Sequence, residues 1–316
     1  MPDPRAELAQ RIMGFMVSAA VYAVAKVDVA GVLGDRSLSV DELAAATATD
    51  ADALYRVLRM LAAHGIFVET DDSAFANTET SRLLAEDFRD FALVFGDEFY
   101  PAFNELPRTL RDHTPSFEAY SGTTYYEHLA SNRDASSRFN RFMASGKSSQ
   151  AGYLAASSFW RGGETVVDVG GGNGALLRAL LERRPELRGI VLDLPETARD
   201  EASFGDRLIF VAGSFFERVP GGDTYLLQGI LHDWSDERAT AILRTIHAAA
   251  PPNARLLVLE SVVPPGNDPH GAKWLDLLML VLGGRERDEQ DWGSLLDSAG
   301  FRVDQLEDGL IQATCL

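Results

Sequence analysis

The sequence predicts an α/β chain: a doubly wound, mostly parallel sheet in its second half, preceded by an all-helical region with a winged-helix pattern. Three observations carry this. From Gly162-Gly163 onward, short apolar runs alternate with amphipathic segments, as βα units require. Before that point helical periodicity dominates. The run Thr165-Val166-Val167-Asp168-Val169 then leads through four glycines in five residues into a helix-forming stretch, the opening unit of such a sheet. The expected divisions are 1–85 for the winged-helix region, 86–160 for a helical linker carrying pocket residues, and 161–316 for the doubly wound domain.

Along the first region, the apolar stretch Ile12 to Leu33 is interrupted by Lys26 and Asp28, and Asp3 and Glu7 spoil a signal-peptide n-region. It reads as a buried or partner-facing helix rather than a membrane span, which needs about 20 apolar residues. Ser39, with Glu42 three residues on, forms a capping box. Asp50 caps a second helix to about His64, ended by Gly65, with Leu54, Val57, Leu58 and Leu61 on one face. Ile66-Phe67-Val68 and Ala74-Phe75-Ala76, split by Asp71-Asp72-Ser73, read as a small hairpin. Helix, helix, hairpin is a pattern that often reads DNA. Here Arg36 to Asp87 holds four basic residues against ten acidic ones, so packing against another subunit is the expected use.

The whole chain points the same way. Its 316 residues carry a net charge of −18, which repels phosphate backbones and anionic membranes, so neither nucleic acid nor membrane is an expected partner. The single cysteine, Cys315, excludes an internal disulfide and a cysteine-held zinc. No metal is expected, and a cytoplasmic setting fits. Between Asp87 and Trp160 lie many aromatics, among them Phe91, Phe95, Phe99, Phe139 and Phe142. Most are expected in the core, and a few along a flat apolar pocket.

The glycine turn is the main pointer to chemistry. Glycine lets the backbone turn tightly and approach a ligand closely. Ile190-Val191-Leu192-Asp193 reads as the next strand, with Asp193 nineteen residues beyond Gly174, where a carboxylate can accept the hydroxyls of a ribose. Gly170-x-Gly172-x-x-Ala175 also fits the loose dinucleotide fingerprint, so a nicotinamide remains open on this feature alone. Two details favour a sulfonium methyl donor. Asp168 stands where it meets a cationic amino acid, and the extra glycine suits a ligand with no pyrophosphate.

Further strands are expected at 207–211, 224–231 and 255–260. Asp168, Asp193, His232 and Glu260 all then fall at C-terminal strand ends, and in an open parallel sheet those ends share one ligand-binding edge. His232 is the natural general base for a phenol, and Glu260 or Glu286 can orient its imidazole.

At this point the chain resembles the small-molecule S-adenosylmethionine-dependent O-methyltransferases of plant caffeate type and their actinobacterial natural-product relatives. The resemblance spans nearly the whole length. It rests on Asp168 to Gly174, Leu192-Asp193-Leu194-Pro195, Leu231-His232-Asp233-Trp234-Ser235-Asp236-Glu237 and Gly283-Gly284-Arg285-Glu286-Arg287. It implies a Rossmann-like methyltransferase domain behind an N-terminal dimerisation domain, and a homodimer. It implies S-adenosylmethionine as cofactor, held by Asp168, Gly170, Gly172, Gly174, Asp193, Leu194, Ser214, Phe215 and Gln228. It implies His232 as base, flanked by Glu260 and Glu286, and a small aromatic hydroxylated substrate lined by Phe142, Met143, Asp233, Trp274, Asp276 and Met279. Two positions depart from the family: Ser214 stands where an aspartate is usual, and Gln228 where plant members carry lysine. The resulting expectation is O-methylation by direct displacement. Methylation at nitrogen or carbon, non-methyl chemistry such as decarboxylation or hydroxylation, and a non-catalytic sensing or DNA-binding dimer stay open as rivals.

Overall fold

The computed structural model describes residues 3–70, 73–144, 147–195 and 205–316. The chain forms two compact units, Met1–Asn104 with Tyr126–Ser145, and Glu105–Tyr125 with Gly146–Leu316. The segment 86–160, expected as one linker, thus contributes to both.

The first unit begins with helices Pro4–Met13 and Phe15–Lys26, the former capped by the Asp3 carboxylate on the Arg5 N–H. Together this pair runs 23 residues, and its most apolar 18-residue window has a mean hydropathy of 1.4, which passes for a membrane span by length and composition only. Most of its apolar surface is exposed, including Leu8, Ile12, Met13, Phe15 and Met16. The capping box is present: Ser39 Oγ accepts the Glu42 N–H and Glu42 Oε2 accepts the Ser39 N–H at 2.8 Å. Helices Val40–Thr47 and Ala51–Ala63 follow, and Leu54, Leu58 and Leu61 are buried as the periodicity requires. The hairpin strands β2 (Phe67–Glu69) and β3 (Ala74–Asn77) pair antiparallel, and a short β1 (Leu38–Ser39) adds to β3. The expected turn residues Asp71 and Asp72 lie outside the described residues. Phe67 and Phe75 are buried with Val24, Val29, Leu33 and Leu43 in one cluster. Each such side chain contributes roughly 1.5–3 kcal/mol by leaving water.

The second unit is built on a seven-stranded sheet: β4 (Thr165–Val169), β5 (Arg188–Asp193), β6 (Leu208–Ala212), β7 (Thr224–Gln228), β8 (Arg255–Leu259), β9 (Phe301–Glu307) and β10 (Leu310–Cys315). Its order is β6-β5-β4-β7-β8-β10-β9. The first five are parallel, and β10 inserts antiparallel between β8 and β9. The order reverses between β4 and β7, and ligands of such sheets bind in the crevice beyond that point. The faces are covered by helices such as Ala175–Arg183 and Asp236–Ala249, whose leucines and isoleucines are fully buried.

One expected element is shorter than the apolar pattern suggested. The fourth strand was expected to reach Leu231, but β7 ends at Gln228, and Gly229 turns the chain at φ +60°. The N–H groups of Ile230 and Leu231 are taken by the Glu260 side chain instead of a neighbouring strand. His232 consequently sits in a 3-10 turn, Leu231–Asp233, just past the strand end.

Candidate active site

The switch point gathers two sets of groups in the second unit. The first is the glycine turn. Gly170 continues β4 by donating its N–H to Leu192 O at 2.8 Å, with φ +74°. A Cβ there would lie 2.5 Å from Ile230 Cδ1, so that side chain would have to shift, and the positive φ strains any larger residue. At Gly172 nothing lies within 4 Å of that position, which leaves one side of the turn open. Asp168 is buried at the end of β4. Asp193, at the end of β5, accepts the Gly172 N–H at 2.7 Å and the Leu194 N–H at 2.7 Å. Leu194 itself is exposed, Ser214 Oγ accepts the Phe216 N–H at 3.2 Å, and Phe215 packs against Phe216 and Trp234. Gln228, at the end of β7, donates to the Gln150 side-chain oxygen.

The second set surrounds one imidazole. His232 Nδ1 lies 2.6 Å from Glu286 Oε1, so the Nδ1 proton donates to the carboxylate and Nε2 faces the other way. Asp233 Oδ1 is 3.6 Å from Nε2. Glu260 is buried just past β8, with Oε1 accepting from Ile230 at 2.9 Å and Leu231 at 2.6 Å. Asp276 Oδ1 accepts the Glu286 N–H at 3.0 Å, and the Met279 carbonyl accepts the N–H groups of Gly283 and Gly284, each at 2.8 Å. Gly284 lies so close to the His232 carbonyl that a Cβ has no room, and the Arg285 N–H donates to that carbonyl at 2.8 Å.

The electrostatics follow from crowding several acids around one base. Burial pulls His232 toward neutrality, but the Glu286 hydrogen bond and the charges of Asp233, Glu260 and Glu286 outweigh it and push its pKa up to about 10. At pH 7 the imidazolium is therefore the dominant form. Its contribution to stability is complete below pH 6.5 and is lost as pH rises through about 10. Burial lifts Glu260 to about 7, against the His232 charge and its two backbone N–H bonds.

That lift makes a testable statement about stability. Below pH 4.5 Glu260 is protonated folded and unfolded, and its charge contributes nothing. Between 4.5 and 7 the unfolded chain ionises first, so folding is progressively disfavoured. Glu260→Gln keeps the oxygen that accepts from Ile230 and Leu231 and removes the charge. The variant is expected to unfold several degrees above the parent at pH 8 and at the parent's temperature near pH 4.5. Thermal melts at both pH values check this, and equal melting at pH 8 would refute it.

Of the expected substrate residues, Asp233, Asp276 and Met279 belong to this cluster or its support. Trp274 shares the Gly271–Leu282 helix but its side chain is exposed. Phe142 and Met143 lie in the first unit on helix Arg133–Ala144, where Phe142 meets Phe91 at 5.2 Å between centroids. Sequence reasoning passed over Arg287 as a functional residue. Nothing local separates it from Arg285 two positions away, yet Arg285 is exposed and Arg287 is fully buried.

Comparison with known proteins places these features in context. Residues 103–302 match the model of an O-methyltransferase domain, and residues 9–87 that of an O-methyltransferase dimerisation domain. The chain is 37% identical over 312 residues to phenazine O-methyltransferase PhzM of Lysobacter antibioticus, covering 95% of this chain and 91% of that one. It is 37% identical to the O-demethylpuromycin-O-methyltransferase of Streptomyces alboniger, covering 92% and 82%. It is also 32% identical to the phenazine-1-carboxylate N-methyltransferase of Pseudomonas aeruginosa, covering 95% and 93%. Among solved structures, LaPhzM superposes with a TM-score of 0.92 at 36% identity, covering 99% and 100%. NcsB1 of neocarzinostatin biosynthesis, solved with S-adenosylmethionine and 2-hydroxy-5-methyl naphthoic acid, gives 0.83 at 32% identity, covering 95% and 96%.

Proposed function

The chain belongs to the O-methyltransferase family, and from that premise we propose that it methylates a hydroxyl of a small aromatic metabolite with S-adenosylmethionine as donor. The observation that carries this reading is the 2.6 Å His232–Glu286 pair at the same sheet edge as the glycine turn. The glycine turn fits the cofactor: it is open at Gly172 and flanked by the buried Asp168, and the Asp193 carboxylate at the next strand end is the proposed partner of the ribose hydroxyls. Gly170, Gly174, Leu194, Ser214, Phe215 and Gln228 complete the proposed donor site. S-adenosylmethionine supplies there a methyl group made electrophilic by its sulfonium sulfur.

His232 supplies the other half. A neutral imidazole that takes the acceptor's proton and an imidazolium that stabilises an ionised acceptor reach the same pair, a cation facing a phenolate. The pKa of about 10 matches that of a phenol, also about 10, so the proton passes between them with little free-energy change. Glu286 holds the Nδ1 proton throughout, and so keeps Nε2 aimed at the acceptor oxygen. Asp233, Asp276, Met279 and Trp274 are the proposed acceptor-side residues of the second unit, while Phe142 and Met143, expected with them from the sequence, belong to the first.

The exposed apolar side chains of Pro4–Lys26, most of which falls in a segment matching a dimerisation domain, support a homodimer in which a second copy covers them. The acidic surface and the buried lone Cys315 fit a cytoplasmic setting.

The 32% identical N-methyltransferase supports nitrogen as a second acceptor atom. Purified protein, methyl-labelled donor and a panel of phenols and aromatic amines decide between them. Label in aryl ethers is the expected result. Label only in methylated amines overturns the hydroxyl assignment, and no label in any product overturns methyl transfer to these classes.

A further inference from the structure

The turn that carries His232 is short, and its own hydrogen bonds are long. Asp233 N–H to Ile230 O and Trp234 N–H to Leu231 O are both 3.3 Å. Glu260 takes the N–H groups at the start of the turn and the Arg285 N–H binds the His232 carbonyl, and a buried cation grips its other carbonyls. Arg287 Nη1 donates to Leu231 O at 2.9 Å and Nη2 to Trp234 O at 2.9 Å, so one guanidinium spans the carbonyls on either side of His232 and Asp233. Its Nε donates to Asp236 Oδ1 at 2.9 Å, and its plane lies over Trp292, 5.4 Å from the ring centroid.

We propose that Arg287 is a positioning residue that fixes the His232 turn relative to Glu286. The two constraints come from neighbours on one segment. Glu286 reaches the imidazole nitrogen, and Arg287 reaches the backbone that carries the imidazole. The segment is itself tied down, because the Val263 N–H donates to Arg287 O at 2.9 Å and Asp276 accepts the Glu286 N–H. The distance between proton donor and carboxylate is therefore set within a few residues.

Stability alone does not account for this arrangement. A fully buried guanidinium carries a desolvation penalty that a well-packed apolar side chain avoids, and its one charge partner among the described residues, Asp236, is half exposed. What arginine offers, and methionine or lysine does not, is a planar fork that grips two carbonyls at once. The inference rests on the methyl-transfer reading for its kinetic consequence and on geometry alone for its structural one.

The test is Arg287→Lys, which keeps the charge and loses the fork. The imidazole of His232, faced by Glu286, Asp233 and Glu260, is followed by nitrogen NMR across pH and assigned by the resonance lost in His232→Asn. Arg287→Lys is expected to lower the His232 pKa by at least one unit, because a loosened turn lengthens the bond to Glu286. It is expected to lower kcat 10- to 100-fold, as an ångström of misplacement does, with acceptor KM within threefold and S-adenosylhomocysteine affinity within twofold. A folded variant that binds S-adenosylhomocysteine normally and titrates His232 like the parent overturns the proposal. Should Arg287→Lys fail to fold, Asp236→Ala releases Nε at the exposed end and is expected to shift the titration in the same direction by a smaller amount. Asp291→Ala is the charge control, since Asp291 pairs with Arg285 and not with Arg287. No shift in Asp236→Ala, or one equal to that in Asp291→Ala, overturns the proposal as well. The titration and the S-adenosylhomocysteine measurement need no acceptor, so they remain readable if the methyl-transfer reading itself fails.

Discussion

Replacing His232 with alanine is expected to lower kcat for a phenolic acceptor by about 10²- to 10⁴-fold at pH 7, the range a positioned acid or base contributes. Affinity for S-adenosylhomocysteine is expected to stay within about twofold, because no bond links the imidazole to the glycine turn or Asp193. The pH dependence separates this from general damage. With His232 present, the imidazolium beside the acceptor draws the phenol's proton off well below its solution pKa, as an adjacent opposite charge does. Without it, the acceptor ionises only near its own pKa of about 10. The defect is therefore expected to shrink by up to tenfold per pH unit from about pH 7 toward 10. Those pKa values belong to the coupled pair of imidazole and phenol rather than to either alone. A His232→Ala enzyme with parental kcat at pH 7 would remove His232 from the reaction and leave alignment of donor and acceptor as the source of rate.

The second large effect is expected at the donor site. Asp193→Ala is expected to weaken S-adenosylhomocysteine binding by about 100-fold or more. The carboxylate holds the Gly172 and Leu194 N–H groups at 2.7 Å each, so its loss frees the glycine turn as well as the proposed ribose contacts. A hydrogen bond to a charged group contributes about 1.5–3 kcal/mol. Losing one or two leaves about 3 kcal/mol, or two decades in affinity. Asp193→Asn retains one acceptor oxygen and is expected to fall between. Calorimetric titration of the three proteins with S-adenosylhomocysteine orders them, and parental affinity in Asp193→Ala would exclude this carboxylate from the donor site.

Much of this architecture was legible without coordinates. The glycine turn, the strand before it and Asp193 nineteen residues on are written in backbone requirements. Only glycine is comfortable at the positive φ angles of Gly170, Gly172 and Gly174, and only short apolar runs make buried parallel strands. The Ser39 and Asp50 caps were legible for the same reason, since a cap depends on residues three apart. The fourth strand's end was not. Gln228 to Leu231 continues the apolar pattern, and only the Glu260 carboxylate, 29 and 30 residues away, takes its N–H groups out of the sheet.

The glycine turn and Asp193, the proposed donor half of the site, were thus legible in the sequence alone, as was the presence of a histidine and two carboxylates near one edge. The tertiary structure decided which carboxylate does what. Glu286, 54 residues from His232, reaches the imidazole, while Glu260 caps the turn beneath it. It also decided that Arg287 grips the turn while Arg285 faces solvent. The division has one cause. Caps, turns and periodicity depend on neighbours a few residues apart, which a sequence displays. The pairing of side chains across fifty residues depends on where a packed sheet and its helices carry them, and no local pattern records that distance.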